Sequence, residues 1–199
     1  TGSGLRVIDS ATNVVVDETP WTISDAAITS QTGKTVHVLA PTERRLLQLD
    51  LEKRSVLAAI DLVEPSANTL AVSPDGSRAL VGHWNGSVRI VDLVRRTVLH
   101  TIAMPGFGPR HLAIPDNERG YIGFLVNGES RIHVINLATG EIAKTLTPND
   151  AAEEMALVAS RRFIVRSGSF GTVTVLDTDT DTIVRTIDGG NQASLGPLA

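Results

Sequence analysis

The chain has no cysteine among its 199 residues, which excludes disulfides, thiolate metal sites and cysteine nucleophiles. It also lacks any apolar run of about 20 residues, the length that a membrane-spanning helix needs, so we expect no membrane insertion. Positive charge is not in excess, because 18 lysines and arginines face 22 acidic residues for a formal net charge of -4. This balance gives no electrostatic reason to expect a nucleic acid as partner.

What the sequence does contain is an internal repeat. Five segments share an apolar strand that ends in Asp or Asn, a polar turn and a second strand, with anchors at Asp9, Asp50, Asp92, Asn136 and Asp177. Successive anchors lie 41, 42, 44 and 41 residues apart. An Asp or Asn side chain can accept hydrogen bonds from backbone N–H groups two residues on, which closes a turn. We therefore predict a structural role for these anchors.

A second pattern fills the space between the hairpins. TLAVSPDGSRALVGHWNGS (69–87) and HLAIPDNERGYIGFLVNGES (111–130) each read as strand, tight turn and strand, and segments 26–41 and 155–171 are weaker copies. Each repeat thus carries four short strands with a period in the low forties, the signature of a β-propeller blade. The predicted fold class is an all-β propeller of four-stranded antiparallel blades. No convincing helix is present, and residues 151–156 are predicted to form at most a short turn.

The repeats predict a single partial propeller over residues 1–199. It divides into a half-blade hairpin at 5–19, blades at about 20–62, 63–104, 105–147 and 148–188, and a tail at 189–199. Four and a half blades form an open arc whose apolar flanks would be exposed. Three explanations are open: a fragment of a larger chain, self-association that completes the ring, or a short propeller. We favour the fragment, because the first hairpin lacks its partner strands and the chain lacks an initiator Met.

Ligand sites of propellers concentrate on one face, where strand four leads to the next strand one and strand two leads to strand three. Two of the five histidines, His83 and His111, fall at loop–strand junctions of this face, whereas His37, His100 and His133 occupy positions predicted to be structural. The candidate ligand-binding residues of this face are His83, Trp84, Asn85, Asn127, Glu153 and Glu154.

The segments VIDSATN, VINLATGE and LAVSPDGSRALVGHWNGSV resemble the YVTN family of β-propeller repeats along nearly the whole chain. The resemblance implies a bacterial, extracytoplasmic protein (periplasmic or secreted) and a ring of usually seven blades. It implies a fold and leaves the function open.

A shorter resemblance concerns chemistry. GPRHLA, followed by a Pro-Asp turn, Tyr121 and Val126-Asn127, is similar to the seven-bladed lactonases of the 6-phosphogluconolactonase type. That resemblance implicates Arg110, His111 and Glu129 as catalytic residues, with Glu129 displaced by one position from the family's pattern. Arg would hold a carboxylate or phosphate, and His or Glu would activate water.

Three functions follow from these observations. The leading hypothesis is a YVTN-type binding or scaffold propeller whose channel face receives a small ligand or a protein. The alternative is a lactone hydrolase that uses Arg110 and His111, so whether the protein is an enzyme stays open. The second alternative is the propeller part of a haem- or quinone-dependent redox protein, although no Cys-x-x-Cys-His motif is present. We predict no cofactor and no metal.

Overall fold

The computed structural model describes residues 6–18, 25–28, 33–106, 108–148, 152–158, 162–167 and 172–188. These residues form antiparallel sheets, each a meander in which strands that follow one another in the chain are neighbours. A 3₁₀ turn at Pro41–Glu43 interrupts the strands once. None of the described residues belongs to a helix long and apolar enough to cross a membrane.

The strands divide into a hairpin and four blades. The hairpin consists of β1 (Arg6–Asp9) and β2 (Val14–Glu18). Blade 1 contains β3 (Asp25–Ile28), β4 (Thr35–Ala40), β5 (Arg45–Asp50) and β6 (Ser55–Asp61). Blade 2 contains β7 (Ala67–Val72), β8 (Arg78–His83), β9 (Ser87–Asp92) and β10 (Thr97–Ala103). Blade 3 contains β11 (His111–Ala113), β12 (Arg119–Val126), β13 (Glu129–Asn136) and β14 (Ile142–Leu146). Blade 4 contains β15 (Ala152–Val158), β16 (Arg162–Ser167), β17 (Thr172–Asp177) and β18 (Thr182–Asp188).

This architecture confirms the predicted fold class of an all-β propeller built from four-stranded antiparallel blades. The first strand of each blade is innermost: β7 lies beside β3, and β11 lies beside both β7 and β15. One expectation was wrong, because the inner strand β15 begins at Ala152 and so includes most of residues 151–156, for which the sequence indicated at most a short turn. The Ala and Glu residues there favour helix or turn locally, and pairing with β16 overrides that preference.

The hydrophobic core lies between blades. Blades 2 and 3 bury aliphatic side chains against one another, among them Leu80, Ile90, Ile122 and Ile135. A second cluster joins blades 1 and 2 in the same manner. Because blade 2 has neighbours on both sides, every residue of β9 is buried, including polar ones. Such two-sided burial explains why the strands are nearly continuous apolar runs.

The predicted role of the anchor residues is confirmed. The first side-chain oxygen of each anchor accepts a hydrogen bond from the backbone N–H two residues on, at 2.8 to 3.0 Å. The residue four positions past every anchor has a positive φ, and these residues are Asn13, Arg54, Arg96, Gly140 and Asp181. Only blade 3 places glycine, the residue best suited to this conformation, at that position.

The face opposite the candidate loops holds a polar clamp between blades 3 and 4. Arg119 donates to the Thr178 carbonyl and forms an ion pair with Asp181, while the Tyr121 hydroxyl donates to the same carboxylate. Asp116 holds the other side of the Arg119 guanidinium at 2.7 Å. Burial raises the pKa of the Tyr121 phenol, and its hydrogen bond to Asp181 raises it further. Tyr121 is therefore a neutral, structural hydrogen-bond donor.

Candidate functional site

The described part of the channel face is formed by the loop 62–66 and residues 104–106 and 108–110, together with the turns 84–86 and 127–128. Backbone hydrogen bonds join its parts: the Trp84 N–H donates to the Ser66 carbonyl at 3.0 Å, and the Met104 N–H donates to the Gly86 carbonyl at 2.7 Å. Gly108 fits against the same turn, because a Cβ there would lie 2.4 Å from the His83 carbonyl oxygen. The turn at Trp84 is thus fixed from both neighbouring loops.

Beneath this surface lies a buried polar network. The guanidinium of Arg89, on β9, donates through Nη1 to the Leu62 carbonyl and to His83 Nε2, the latter at 3.1 Å. Its Nη2 forms an ion pair with Glu64 at 3.0 Å. Asn85 donates to the same Glu64 oxygen at 2.7 Å. His83 and Arg89 are both buried, so these contacts satisfy groups that water does not reach.

The protonation states of the network follow from its geometry. Burial lowers the pKa of His83, and the neighbouring Arg89 cation lowers it further. The hydrogen bond from Asn85 and the charge of Arg89 lower the pKa of Glu64. At neutral pH the His83 ring is therefore neutral and accepts a hydrogen bond from Arg89 at Nε2. This tautomer leaves a proton on Nδ1, which faces the Pro65 carbonyl at 3.4 Å.

The loop held by Arg89 is strained. Val63 has a φ of 65°, a conformation that is rare for a β-branched residue. The Glu64 N–H donates to the Leu62 carbonyl at 2.7 Å, which makes Val63 the centre of a positive-φ γ-turn. The Asp61 carboxylate accepts the Val63 N–H at 2.7 Å and closes the turn further. Strain of this kind costs about 1–3 kcal/mol and persists only where surrounding contacts impose it.

The strained loop presents apolar surface to solvent. Val63 is 66% exposed and Trp84, in the adjoining turn, is 68% exposed. We call Val63 and Trp84, with the loop 62–66 and the turn 84–86, the tryptophan surface. A large aromatic side chain held in solvent by a fixed backbone is the usual anchor of a protein interface.

The catalytic candidates lie at the channel mouth but only two of them are adjacent. Arg110 is exposed and His111, which begins β11, is partly buried. Glu129 begins β13, which lies two strands outward from β11. The residue of β13 that is level with His111 across the sheet is Ile132, and Glu129 lies three residues along the strand from it. Strand spacing then separates the His111 and Glu129 Cα atoms by roughly 14 Å, with their side chains on opposite sheet faces. Glu129 instead pairs with Arg131.

The remaining candidates divide between surface and strand. Trp84, Asn85 and Asn127 are exposed on the channel face. Glu153 and Glu154 lie at the start of β15, and their side chains are outside the described residues. Strand pairing puts Glu154 at the position equivalent to His111, and Glu153 at the position equivalent to Arg110. His83 is the exception among the candidates, because it is buried and engaged in the network below the surface.

Sequence reasoning missed Val63, Glu64 and Arg89. An arginine between Val88 and Ile90 in an apolar strand was the available signal for the buried guanidinium. Nothing local marked Val63 as strained.

Elsewhere, a groove of about 660 Å³ lies at the outer edges of blades 2 and 3 and contains none of the candidates. In the part of the chain that the structure describes, no three His, Asp or Glu side chains converge on a possible metal position.

Comparison with known proteins supports the fold. No protein-family model and no curated protein sequence matches the chain. Among solved structures, hydrazine synthase of Kuenenia stuttgartiensis superposes with a TM-score of 0.70 at 18% identity, covering 82% of this chain and 48% of that one. The U3-55K structure superposes with a TM-score of 0.68 at 17% identity, covering 85% of this chain and 53% of that one. A chain of the mitotic checkpoint complex superposes with a TM-score of 0.76 at 16% identity, covering 94% of this chain and 58% of that one.

These likenesses identify the fold, a β-propeller of the WD40 type, and at such identities they show the fold alone. The chain spans about half the length of the solved chains that it matches, 48% to 58%.

Proposed function

We propose that the protein is a binding propeller of the YVTN type whose tryptophan surface receives a protein partner. The observation that carries this proposal is the exposure of Trp84 on a turn fixed from two neighbouring loops. A rigid aromatic anchor loses little conformational entropy on binding, which is why such residues dominate interface energetics. The mitotic checkpoint complex, a multiprotein assembly by its name, contains a chain of the same fold and makes a protein partner reasonable by analogy.

The experiment compares Trp84→Ala with Val94→Ala. Val94 is 74% exposed in the β9–β10 turn at the opposite end of blade 2, so it controls for loss of any exposed apolar side chain. Each immobilised protein is incubated with soluble extract of the source organism, and the retained proteins are quantified. We expect a partner kept by wild type and the Val94 variant and weakened at least about tenfold by Trp84→Ala, as for an interface hot spot. Equal retention by both variants would overturn the proposal.

A lactone hydrolase is the second candidate, favoured by the adjacency of exposed Arg110 and partly buried His111 at the channel mouth. The chemistry would need a water-activating base, and the Glu129 carboxylate is held by Arg131 away from His111. His111 would therefore have to activate the water without a carboxylate. Hydrolysis of a gluconolactone panel that disappears in His111→Ala but persists in Glu129→Ala would establish this activity. Absence of hydrolysis by the wild-type protein would exclude it.

A further inference from the structure

We propose that Arg89 is the positioning residue of the tryptophan surface, and that protonation of His83 releases the loop that Arg89 holds. The inference rests on the proposed function for its consequence in binding, but the latch itself is a property of the fold. It joins two independent observations, a strained loop and a buried cation that fixes it.

Arg89 holds the loop 62–66 closed. Arg89 contacts the loop twice, at the Leu62 carbonyl and at the Glu64 carboxylate, and these two residues flank Val63. The γ-turn at Val63 is strained, so it relaxes unless both flanks are held. Ser66, with a φ of 78°, adds a second non-glycine residue in the left-handed region to the same loop. The loop is therefore a strained segment that Arg89 holds on both flanks of Val63, together with the Asp61 carboxylate and Asn85.

The event that would release the loop is protonation of His83. His83 Nε2 lies 3.1 Å from Arg89 Nη1 and must accept a hydrogen bond from it. A protonated ring has no acceptor at Nε2 and would place a second positive charge against the guanidinium. The charged groups that act on His83 are Arg89, which opposes protonation, and Glu64, which favours it. Glu64 is already shared between Arg89 and Asn85, so it cannot neutralise both cations fully.

Release of the loop would change the exposed residues Val63 and Trp84. When Arg89 turns away from His83 and from the loop, Leu62 and Glu64 lose the Arg89 donor and the strained turn at Val63 opens. Trp84 then loses one of its two backbone supports, because its N–H bonds to the Ser66 carbonyl of the same loop. Mild acid should thus weaken the tryptophan surface before it unfolds the propeller. Burial and the Arg89 charge both lower the pKa of His83 in the closed loop, so the closed loop loses stability as the pH falls below the pKa of an ordinary histidine.

The test is hydrogen exchange of the whole chain, measured by mass spectrometry between about pH 7 and about pH 5 and corrected for the intrinsic pH dependence of exchange. We expect segment 62–66 and the Trp84 N–H to open roughly tenfold more at the acid end, the change that one pH unit of proton linkage produces. The amides of β9 report global unfolding, which itself increases in acid because of His37, and they should remain more protected than the loop at every pH. Equal opening of both regions would mean that the propeller simply unfolds, which would overturn the proposal.

Two variants distinguish positioning from general stability. His83→Gln retains an acceptor for Arg89 without a titrating group, so the loop should stay closed and the acid response should vanish. Val63→Gly removes the strain, so its loop should stay closed in acid although His83 still titrates. If loop exchange in His83→Gln still increases in acid as in wild type, protonation of His83 does not release the loop. If it still increases in Val63→Gly, strain at Val63 does not drive the opening. Because exchange is measured without a partner, these outcomes are independent of the capture experiment on Trp84.

Discussion

His37 should make the stability of this propeller sensitive to mild acid. Burial in blade 1 lowers the pKa of its imidazole from 6.5 to about 4. Between these values the unfolded chain binds a proton that the folded chain excludes, so stability is complete above pH 6.5 and is lost as pH falls toward 4. Because each tenfold difference in proton affinity is worth about 1.4 kcal/mol, the full loss is about 3 kcal/mol.

The surroundings of the ring show why it resists protonation. The Gln48 side-chain amide donates to His37 Nε2 at 3.0 Å, which leaves the ring proton on Nδ1. That Nδ1 is buried and has no hydrogen-bond partner among the residues that the structure describes. Leu80 occupies the equivalent position in blade 2 and is fully buried there. Leucine should therefore fit at position 37 and remove both the titrating group and the unsatisfied polar atom.

The assay is guanidinium unfolding of wild type and His37→Leu at about pH 7 and about pH 4.5. Wild type should lose about 2.5 kcal/mol more than the variant between these pH values, with the variant at least as stable as wild type at neutral pH. His83 and His133, whose pKa values burial also lowers, are present in both proteins and cancel in the comparison. An equal pH dependence in the two proteins would refute the assignment of this acid sensitivity to His37.

Four other outcomes are expected. Arg96→Gly should raise the free energy of unfolding by about 0.5–1 kcal/mol, because glycine relieves the positive φ of 61°, whereas Gly140→Ala should lower it, since a Cβ there meets the His100 side chain at 2.9 Å. Tyr121→Phe should cost about 1–3 kcal/mol in the same denaturation assay, because the Asp181 carboxylate loses a donor between blades. Val15→Ser should reduce self-association in sedimentation, because β2 exposes apolar side chains on its surface; an unchanged mass distribution would exclude this hairpin as the contact.

The channel face shows how far the sequence could be taken. The repeat period placed Trp84, Asn85 and Asn127 in turns of one face, because strand order within a meander is dictated by chain order. The same reasoning placed His83 at a loop–strand junction without showing that it is buried, since its burial depends on Arg89 and on the packing of Gly108 against it. A resemblance grouped Glu129 with His111, although their separation depends on strand register, which a short motif does not encode.

The sequence by itself determined the blade, because apolar strands, Asp anchors and tight turns are local signals that repeat with a fixed period. Only the tertiary structure decided which polar residues are functional candidates and which are supports. The sequence around Val63 carries no local mark of strain, and the contacts on both sides of its turn include a guanidinium from the neighbouring blade, 26 residues further along the chain. Long-range contacts of this kind hold a conformation that local preferences oppose, and local preferences are what a sequence pattern reports.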